Sequence, residues 1–467
     1  MSNQAANNSE NNSANRNVTL VLFHNDLRVA DNATLLKASK ISINGKLLLV
    51  YASSLTDILD NKDHYDAYRY EAMGQARQQF LHESLADLNA SLMQRGNRLL
   101  YLQKDDEALD VFTQLNDLIA QQQVTDICIS QTADYNQNKV YDLLQVKYPE
   151  IQWHIQTTAT LFDELPLEQL PKSFTQFRKQ IETDYDLLHA EKDIVIYPTP
   201  ESLAPLPDNM HSRNEYFFES QLSNEAGHDK PSQQLSSFRG GELNGLNHLH
   251  SYFDSDAPST YKTTRNALDY WTHSTKFSAW LANGSLSVNT VLNRLRRYER
   301  DMIANDSTYW IWFELLWREY FYWYAVTHQK KLFWFKGIAQ HAPSTQLIES
   351  LLAQWKNGTT PYPIVNACMN QLRTTGYMSN RGRQLVASCF IHELGLDWRY
   401  GAAYFEQHLV DYDVGSNWGN WQYLAGVGAD PRGCRQFNLD KQTQQYDPNG
   451  EFIRQWQATL KRVINVC

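Results

Sequence analysis

The chain has 467 residues, a formal net charge of −10 and 42% hydrophobic residues, a composition typical of a globular protein of two or three domains. Residues 1–17 are rich in Asn and Ser and lack the apolar stretch of a signal peptide, so a disordered tail is predicted there. The cysteines stand far apart, at Cys128, Cys368, Cys389, Cys434 and Cys467. No pair has CxxC spacing, so the sequence indicates neither a disulfide framework nor a zinc site, and a reducing, cytoplasmic setting is expected.

Strands alternate with helical patterns in the first third of the chain. Amphipathic periodicity predicts a helix over 67–96, and short apolar runs predict strands at 18–23, 47–52, 99–102 and 126–130. This alternation is typical of an α/β domain with a doubly wound parallel sheet, expected over 18–165. No GxGxxG follows the first strand, where the sequence reads HNDLRVADN over 24–32, so the usual dinucleotide fingerprint is absent.

The rest of the chain has a different chemistry. An inter-domain linker is expected over 166–240, with a helix beginning within 171–182, followed by a larger all-helical domain over 241–467. Residues 1–240 carry 20 basic and 33 acidic side chains, whereas the remainder carries 22 and 19. A local basic face suited to nucleic acid is therefore expected in the helical half, although the chain as a whole is acidic.

The most apolar segment, 309–326, reads YWIWFELLWREYFYWYAV and predicts a long helix. Its charges, Glu314, Arg318 and Glu319, exclude a membrane span, because each would cost roughly 2.5–3.5 kcal/mol at the membrane centre. Glu314 and Arg318 stand four residues apart on one helix face among aromatic residues. Two interpretations stay open at this point: an internal ion pair in a core helix, or a ligand site where buried charges meet a polar partner.

Three later segments combine polar and aromatic residues: TTGYMSNRGRQ (374–384), DWRYG (397–401) and DYDVGSNWGNWQY (411–423). Asn380 and Gln384 share a helix face in the first segment, which by itself favours a solvated helix end. The two aspartates of the last segment could bind a metal, but no histidine lies in that segment. Hydrogen bonds to a ribose or a heterocycle suit it equally well.

These segments, with YKTTRN (261–266), STKFSAWLANG (274–284) and ELLWREYF (314–321), resemble the photolyase/cryptochrome family. Within that family the sequence is most similar to the DASH-type cryptochromes. HNDLRVADN resembles the N-terminal signature of the family, with His24 where Arg is expected. The resemblance runs from Val18 to about Trp456 with its spacings intact, and it is far more specific than any single motif.

The resemblance implies that FAD binds in the helical domain. Asn380 would face the flavin N5, and an ion pair between Arg383 and Asp411 would flank the ring system and help to favour the anionic reduced flavin. Asp413 and Asn417 would bind the flavin or its adenosine part. A hydroxyl-rich loop that enters a helix is suited to phosphate, and the residues implied around the pyrophosphate are Tyr261, Ser274, Thr275, Lys276, Phe277, Ser278 and, close by, Arg318.

The enzymes of this family repair cyclobutane pyrimidine dimers with an electron from light-excited reduced flavin, and the resemblance implies the same lyase activity here. Glu314 would hydrogen-bond the dimer, and Trp317 would pack against it beside Asn380, Tyr423 and Gln384. Duplex-acting photolyases typically have Trp and Met in place of Tyr423 and Gln384. The more polar pocket would offset less of the cost of flipping a paired lesion, so single-stranded DNA is the expected substrate.

Phosphate contacts are expected from basic side chains of the helical half, although the group between 294 and 300 is equally typical of a solvated helix face. The candidates are Arg294, Arg297, Arg381, Arg432 and Arg435. No histidine matches the active-site position used by (6–4) photolyases, which favours cyclobutane dimers. A monomer without a resident metal or a membrane partner is expected.

Two other functions are considered. A blue-light sensor with the same fold and flavin but negligible repair is the main alternative, since a sensor could retain Glu314 and Trp317 by descent. A light-independent electron-transfer flavoprotein would be consistent with the α/β domain alone. The aromatic-rich helical half disfavours that third class.

Photoreduction in the family runs through tryptophans to the surface, and Trp421 and Trp398 match the inner and middle members. The outer member is expected between Lys336 and Gln354, where the chain has neither Trp nor Tyr. Slower photoreduction is therefore expected, or an exit through Trp334, Trp418 or a nearby tyrosine. Many DASH-type members also bind a methenyltetrahydrofolate antenna beside an acidic residue after the fourth strand, where this chain has Thr132, and folate binding stays open.

Overall fold

The computed structural model describes residues 17–59, 72–104, 110–189, 194–210, 218, 238–339, 341–429 and 435–464. Its first half contains a five-stranded parallel sheet of order β3-β2-β1-β4-β5. The strands are β1 Val18–Phe23, β2 Lys46–Ala52, β3 Leu99–Leu102, β4 Asp126–Ser130 and β5 Gln152–Gln156. The four predicted strands are confirmed, with ends that agree to within one residue. β5 was not predicted, because QWHIQ lies at the sheet edge, largely accessible to solvent, and lacks a continuous apolar run.

Helices cover both faces of the sheet. Leu20 and Leu22 of β1 belong to one core cluster, whereas Val21 and Phe23 belong to another on the opposite face. The covering helices are α1 Ala33–Ile41, α2 Gln75–Met93, α3 Val111–Gln121 and α4 Tyr135–Lys147. The doubly wound α/β prediction is therefore confirmed. The helix predicted over 67–96 is shorter than expected, because Gly74 is extended and caps α2; residues 60–71 lie outside the described residues.

The second half is helical, as predicted, and α5 Phe174–Asp184 forms where a helix start was expected within 171–182. A π-helical turn, Cys389–Glu393, continues directly from the helix that ends at Ser388. The helices from residue 242 onward are α6 Glu242–Phe253, α7 Ala257–Thr264, α8 Ser278–Ala282, α9 Val288–Asp301, α10 Asp306–His328, α11 Glu349–Asn357, α12 Pro363–Thr375, α13 Asn380–Ser388, α14 Trp398–His408, α15 Val414–Leu424, α16 Leu439–Tyr446 and α17 Glu451–Ile464.

Helix α10 forms the centre of this half, packed between α7 and α15. It begins at a capping box, in which the Asn305 side chain accepts hydrogen bonds from the first turn and the Asn305 N–H donates to the Thr308 hydroxyl. Trp312 and Trp323 are buried on its inner faces. Across the described ranges, no helix combines the length and the apolar character needed to cross a membrane.

The HNDLRVADN loop after β1 connects the two halves of the molecule. The buried Arg28 guanidinium donates to the carbonyl of Gly284 at 2.9 Å and to that of Thr158 at 2.8 Å. In the opposite direction, the carboxylate of Glu242 accepts hydrogen bonds from the backbone N–H groups of Val29 and Ala30 at 2.8 and 3.0 Å. The backbone itself also pairs, since Leu27 N–H donates to the carbonyl of Asn283 at 3.2 Å.

Gly284 allows this close approach. Its φ is +73°, and a Cβ at this position would overlap the backbone carbonyl of Asn25. A residue other than glycine would therefore meet both backbone strain and a steric clash. Residues 24–32, Glu242 and Asn283–Gly284 are referred to below as the joint.

Candidate functional site

Glu314 lies on α10 and forms an ion pair with Arg265, the residue that follows α7. The internal ion pair with Arg318, one of the two interpretations left open by the sequence, does not form. Arg318 points elsewhere and donates to the backbone carbonyls of Ala159 at 2.6 Å and Leu281 at 3.2 Å. Glu314 and these two carbonyls compete for the Arg318 guanidinium. Because the carbonyls belong to distant parts of the chain, the four-residue spacing on the helix could not show that they would bind it.

Burial raises the pKa of Glu314, and the neighbouring Arg265 opposes that rise. The same surroundings act on Tyr261, one turn before Arg265 on α7, whose pKa is raised by burial and by the negative charge of Glu314. The carboxylate is therefore partly withdrawn from water, with 30% of its side chain exposed, and Arg265 supplies the opposite charge. Such an arrangement is typical of ligand sites.

Aromatic rings surround this ion pair. The rings of Trp317 and Tyr423 meet edge to face, with centroids 6.2 Å apart, and Trp317 stacks on Phe174 of α5 at 3.7 Å. The guanidinium of Arg435 lies 4.6 Å from the centroid of Tyr423. A carboxylate, two large rings and flanking cations thus lie together, partly exposed, and this group of side chains is called the pocket below. It could take a planar, polar ligand.

A second charged group lies on α13 and the turn before α15. Arg383 donates to both carboxylate oxygens of Asp411, at 2.9 and 2.8 Å, and the Asp411 side chain is only 2% exposed. The ring of Tyr377 lies 5.3 Å from the Arg383 guanidinium and 5.2 Å from the Lys276 ammonium. The ion pair expected between Arg383 and Asp411 is therefore present, and Tyr377 connects it to the 274–278 loop.

The 274–278 loop has the donors that a diphosphate requires. The backbone of Lys276 is in the left-handed region, with φ +55°. Its ammonium group donates a hydrogen bond to the Ser274 hydroxyl at 2.7 Å. Nearby, His273 Nδ1 is buried without a hydrogen-bond partner among the described residues. Thr275 accepts a hydrogen bond through its carbonyl, and Phe277 is buried whereas Ser278 is exposed.

These observations fit FAD. An ammonium, a hydroxyl and a free imidazole nitrogen suit the diphosphate, and the buried ion pair of Arg383 with Asp411 can flank a charged ring system. In the described part of the chain, no group of three or more His, Cys, Asp or Glu side chains is placed to hold a metal ion.

Asp413 and Asn417 have structural partners on α15. The Asp413 carboxylate caps the helix by accepting from Ser416 N–H at 2.7 Å, and the buried Asn417 amide donates to the Ala402 carbonyl at 2.9 Å. Asn380 is exposed in the first turn of α13, and Gln384 is half-buried one turn later. The roles that the resemblance implies for these residues stay predictions.

A narrow cleft between the halves contains Thr132, together with His24, Arg318 and Asp413. It lies beyond the carboxyl ends of β1 and β4, where open α/β sheets commonly bind ligands. Thr132 offers a hydroxyl in place of the carboxylate expected beside a folate. It can make a hydrogen bond there but supplies no charge.

The tryptophans named for electron transfer lie in the core near α14 and α15. Trp421 is buried and its ring lies 6.2 Å from that of Trp355. The fully buried Trp398 contacts Trp418 at 5.9 Å and donates its indole N–H to the Phe335 carbonyl at 3.1 Å. Trp334, the residue before Phe335, is 44% exposed.

The predicted phosphate-binding arginines divide into two places. Arg381 donates to Asn266 and Gln442 at 3.3 Å, near the helices that bound the pocket, and Arg435 lies over Tyr423. Arg294 is on α9, where it forms an ion pair with Asp254, and Arg297 is exposed on the same helix. Arg432 lies outside the described residues.

Two residues of the site were not identified from the sequence, although each lies in a motif that was noted. Arg265 follows Tyr261 by four residues in YKTTRN, which places both on one helix face. Tyr377 stands inside TTGYMSNRGRQ. The helical spacing was the available signal for Arg265, whereas the position of Tyr377 depends on a loop.

Comparison with known proteins gives consistent similarities. The family model described as the FAD binding domain of DNA photolyase matches residues 310–466, and the one described as DNA photolyase matches residues 19–201. The chain is 48% identical to Cryptochrome DASH of Idiomarina loihiensis, covering 94% of this chain and 93% of that protein. It is 49% identical to Cryptochrome DASH of Vibrio parahaemolyticus, with coverages of 96% and 95%.

Solved structures agree with these similarities. A cryptochrome from Synechocystis aligns with a TM-score of 0.79 and 34% identity, covering 96% of this chain and 90% of that one. A class III photolyase from Agrobacterium tumefaciens aligns with a TM-score of 0.76 and 26% identity, with coverages of 96% and 88%.

Proposed function

The chain belongs to the photolyase and cryptochrome family, as a DASH-type cryptochrome with an FAD-binding domain, and from this premise we propose that it repairs cyclobutane pyrimidine dimers in single-stranded DNA under blue light. The observation that carries the proposal is the Glu314–Arg265 pair beside Trp317 and Tyr423. A carboxylate held by one cation beside two large rings suits a hydrogen bond to a dimer, a contact that a light sensor without repair activity would not use.

FAD, when bound and reduced, supplies the excited-state electron that splits a dimer. The residues that would hold it are those of the 274–278 loop with Tyr261, and the Arg383–Asp411 pair with Tyr377. Their part is to bind and orient, and to keep a fixed positive charge beside the ring system. Asn380, Asp413 and Asn417 are proposed at the edges of the same site.

Glu314 is proposed to hydrogen-bond the dimer, with Arg265 fixing the direction of its carboxylate. Trp317 and Tyr423 would pack against the two pyrimidine rings, and Gln384 would add a polar contact. Because the pocket wall contains a tyrosine hydroxyl and an amide, it gains less from enclosing apolar bases than a fully apolar wall would. In a single strand the lesion is already unstacked, so the free energy of flipping it out of a duplex does not have to be offset by the pocket.

Electron supply to the site is proposed to run through Trp421 and Trp398, with Trp334 as the surface member. The hydrogen bond from Trp398 to the Phe335 carbonyl joins the buried tryptophan to the segment that carries Trp334. Among the substitutes considered for the missing outer tryptophan, Trp418 is fully buried and Trp334 is exposed. Only an exposed ring can exchange electrons with a reductant in solution.

The experiment is to record the absorption spectrum of the purified protein and then to measure repair of a thymine dimer in single-stranded DNA, in blue light and in darkness. Flavin bands with light-dependent loss of the dimer would support the proposal. Flavin bands without repair would favour the sensor function, and absence of flavin would contradict both. Equal repair rates on single-stranded and duplex substrates would refute the strand preference.

A further inference from the structure

One face of α10 carries a line of half-buried aromatic rings beside the pocket. Trp310, Phe313 and Trp317 lie at intervals of three and four residues along the helix, and the buried Phe174 of α5 packs against Phe313 and Trp317. We call the three half-buried residues the aromatic stripe. Ring centroids are 4.6 Å apart for Trp310 and Phe313, and 5.1 Å apart for Phe313 and Phe174. The other aromatic residues of α10, such as Trp312 and Trp323, are buried.

Cations border the stripe on both sides. The ammonium of Lys262 lies 5.0 Å from the Trp310 centroid and the Arg265 guanidinium 5.8 Å from it, and Arg178 lies 5.6 Å from Phe313. Each is close enough for a cation–π contact. The surface therefore combines aromatic rings and basic side chains, as surfaces that track single-stranded nucleic acid do.

Each of these cations also has an acidic partner. Lys262 pairs with Asp306 at 2.9 Å, Arg178 pairs with Glu182 at 3.3 Å, and Arg265 pairs with Glu314. The charges along the stripe thus nearly cancel. Electrostatic attraction of phosphate groups therefore contributes little here. Stacking on the aromatic rings is the main interaction that this surface can offer to a strand.

We propose that the aromatic stripe holds the bases next to the dimer in single-stranded DNA by stacking. This inference rests on the proposed function, because it extends the path of the substrate from the Trp317 pocket. The helix rises about 10 Å from Trp310 to Trp317, and stacked bases repeat at about 3.4 Å along a strand. The stripe is long enough for about two or three bases. A duplex keeps its bases paired and stacked on one another, so its bases do not reach the stripe.

The experiment compares Trp310→Ala with wild-type protein for binding of undamaged oligothymidylate in darkness, over a series of salt concentrations. Undamaged DNA removes lesion recognition from the measurement. Loss of one stacking contact is expected to weaken binding by about fivefold to a hundredfold, with the slope of log K against log salt unchanged, since no phosphate contact is removed. Affinity for a duplex of the same length is expected to stay the same. Trp310→Phe should retain most of the affinity.

Tyr148→Ala is the matched control, because Tyr148 is a half-buried ring with a lysine, Lys147, 5.5 Å from its centroid, at the far end of α4. It should bind oligothymidylate as wild-type protein does. Circular dichroism and the thermal midpoint of each variant show that it has folded.

Three results would overturn the inference: unchanged binding by Trp310→Ala, a change in the salt slope, or an equal loss on duplex DNA. The proposed function has a separate test. If wild-type protein repairs dimers and Trp310→Ala binds normally, the stripe alone is refuted. If wild-type protein repairs nothing but Trp310→Ala weakens single-strand binding, the stripe stands and the repair activity does not.

Discussion

Arg265 and Glu314 depend on each other, and this dependence gives a direct test of the pocket. Glu314→Gln keeps the shape of the side chain and removes its charge, which leaves Arg265 without a counter-ion. Dimer repair per absorbed photon is expected to fall roughly tenfold, the effect of about 1.5 kcal/mol for a hydrogen bond to a charged group. The measurement is blue-light repair at a fixed flavin content.

Glu299→Gln is the control for this substitution. Glu299 lies on α9, and burial raises its pKa as burial raises that of Glu314. It borders no part of the pocket. Equal losses in the two variants would mean that removing a partly buried carboxylate, and not the pocket position, causes the effect.

Glu319 gives a second prediction at the level of one residue. Its carboxylate is completely buried and accepts hydrogen bonds from Leu161 N–H at 3.1 Å and the Trp323 indole at 2.8 Å, yet burial raises its pKa to about 7. The folded state thus holds this proton more tightly than the unfolded state. Its contribution to stability is full at low pH and is lost as pH rises through about 7.

Between pH 5 and pH 8 the wild-type free energy of unfolding is expected to fall relative to that of Glu319→Gln, by up to about 3 kcal/mol. Urea unfolding at several pH values measures this difference. The glutamine replaces one of the two acceptors with a donor, which adds an offset that does not vary with pH. A constant difference across the pH range would contradict the raised pKa.

Whether an ion pair of the site can be predicted depends on how far apart its two residues lie in the sequence. The pairing of Arg383 with Asp411 was expected only from the resemblance, and for Glu314 the helix spacing offered Arg318 as one of two open interpretations. In both cases the observed partner lies at least 28 residues away. Local spacing shows which residues share a helix face. It does not show which group from a distant part of the chain binds at that face in the folded protein.

Among the elements, the strands that were predicted are those buried on both sides. β1 to β4 read as continuous apolar runs because helices cover both faces, whereas β5 is an edge strand with polar residues. Helix α10 was predicted because its segment is the most apolar in the chain, and most of the other helices were predicted only as parts of an all-helical domain. Their positions relative to one another, which bring Tyr377 to Lys276 and Arg383, follow from packing that no single segment encodes.

The segment after α10 carries Trp334, the surface member of the proposed route for electrons. Gln422 of α15 is buried and its amide donates to the carbonyls of Lys331 and Leu332 at 2.9 Å, which fixes the approach to Trp334. Trp398→Phe is expected to slow photoreduction by roughly tenfold, the effect of about 1.4 kcal/mol on a barrier, and Trp334→Phe is expected to slow it too.

The absorbance of the flavin during illumination with an external reductant measures this rate. Trp153→Phe serves as the control, since Trp153 lies on β5 in the sheet domain. Photoreduction at the wild-type rate in Trp398→Phe would eliminate the proposed route. A wild-type rate in Trp334→Phe alone would mean that another residue exchanges electrons with the reductant at the surface.

At the scale of the whole molecule, the joint determines how the sheet domain meets the helical half. The domain bounds, 18–165 and 241–467, stay a prediction. Gly284→Ala would meet a left-handed φ and the Asn25 carbonyl together, and is expected to lower the free energy of unfolding by about 3 kcal/mol or more.

Gly395→Ala separates the two causes. Gly395 also has a positive φ, +62°, but a Cβ there meets nothing within 4 Å. Its substitution should cost only the backbone strain, about 1 kcal/mol. Chemical denaturation of both variants measures the difference, and equal costs would show that the contact with Asn25 relaxes freely.

The joint also bears on how such proteins can recombine. Several of its hydrogen bonds run from Arg28 and Glu242 to backbone groups, or from backbone to backbone. A main chain has the same chemistry in every relative. Two further hydrogen bonds join side chains, from the Ser287 hydroxyl to the Asp31 carboxylate and from the Asn283 amide to the Ser84 hydroxyl. A chimera that takes its sheet domain from one relative and its helical half from another should therefore assemble if it keeps these side chains and Gly284.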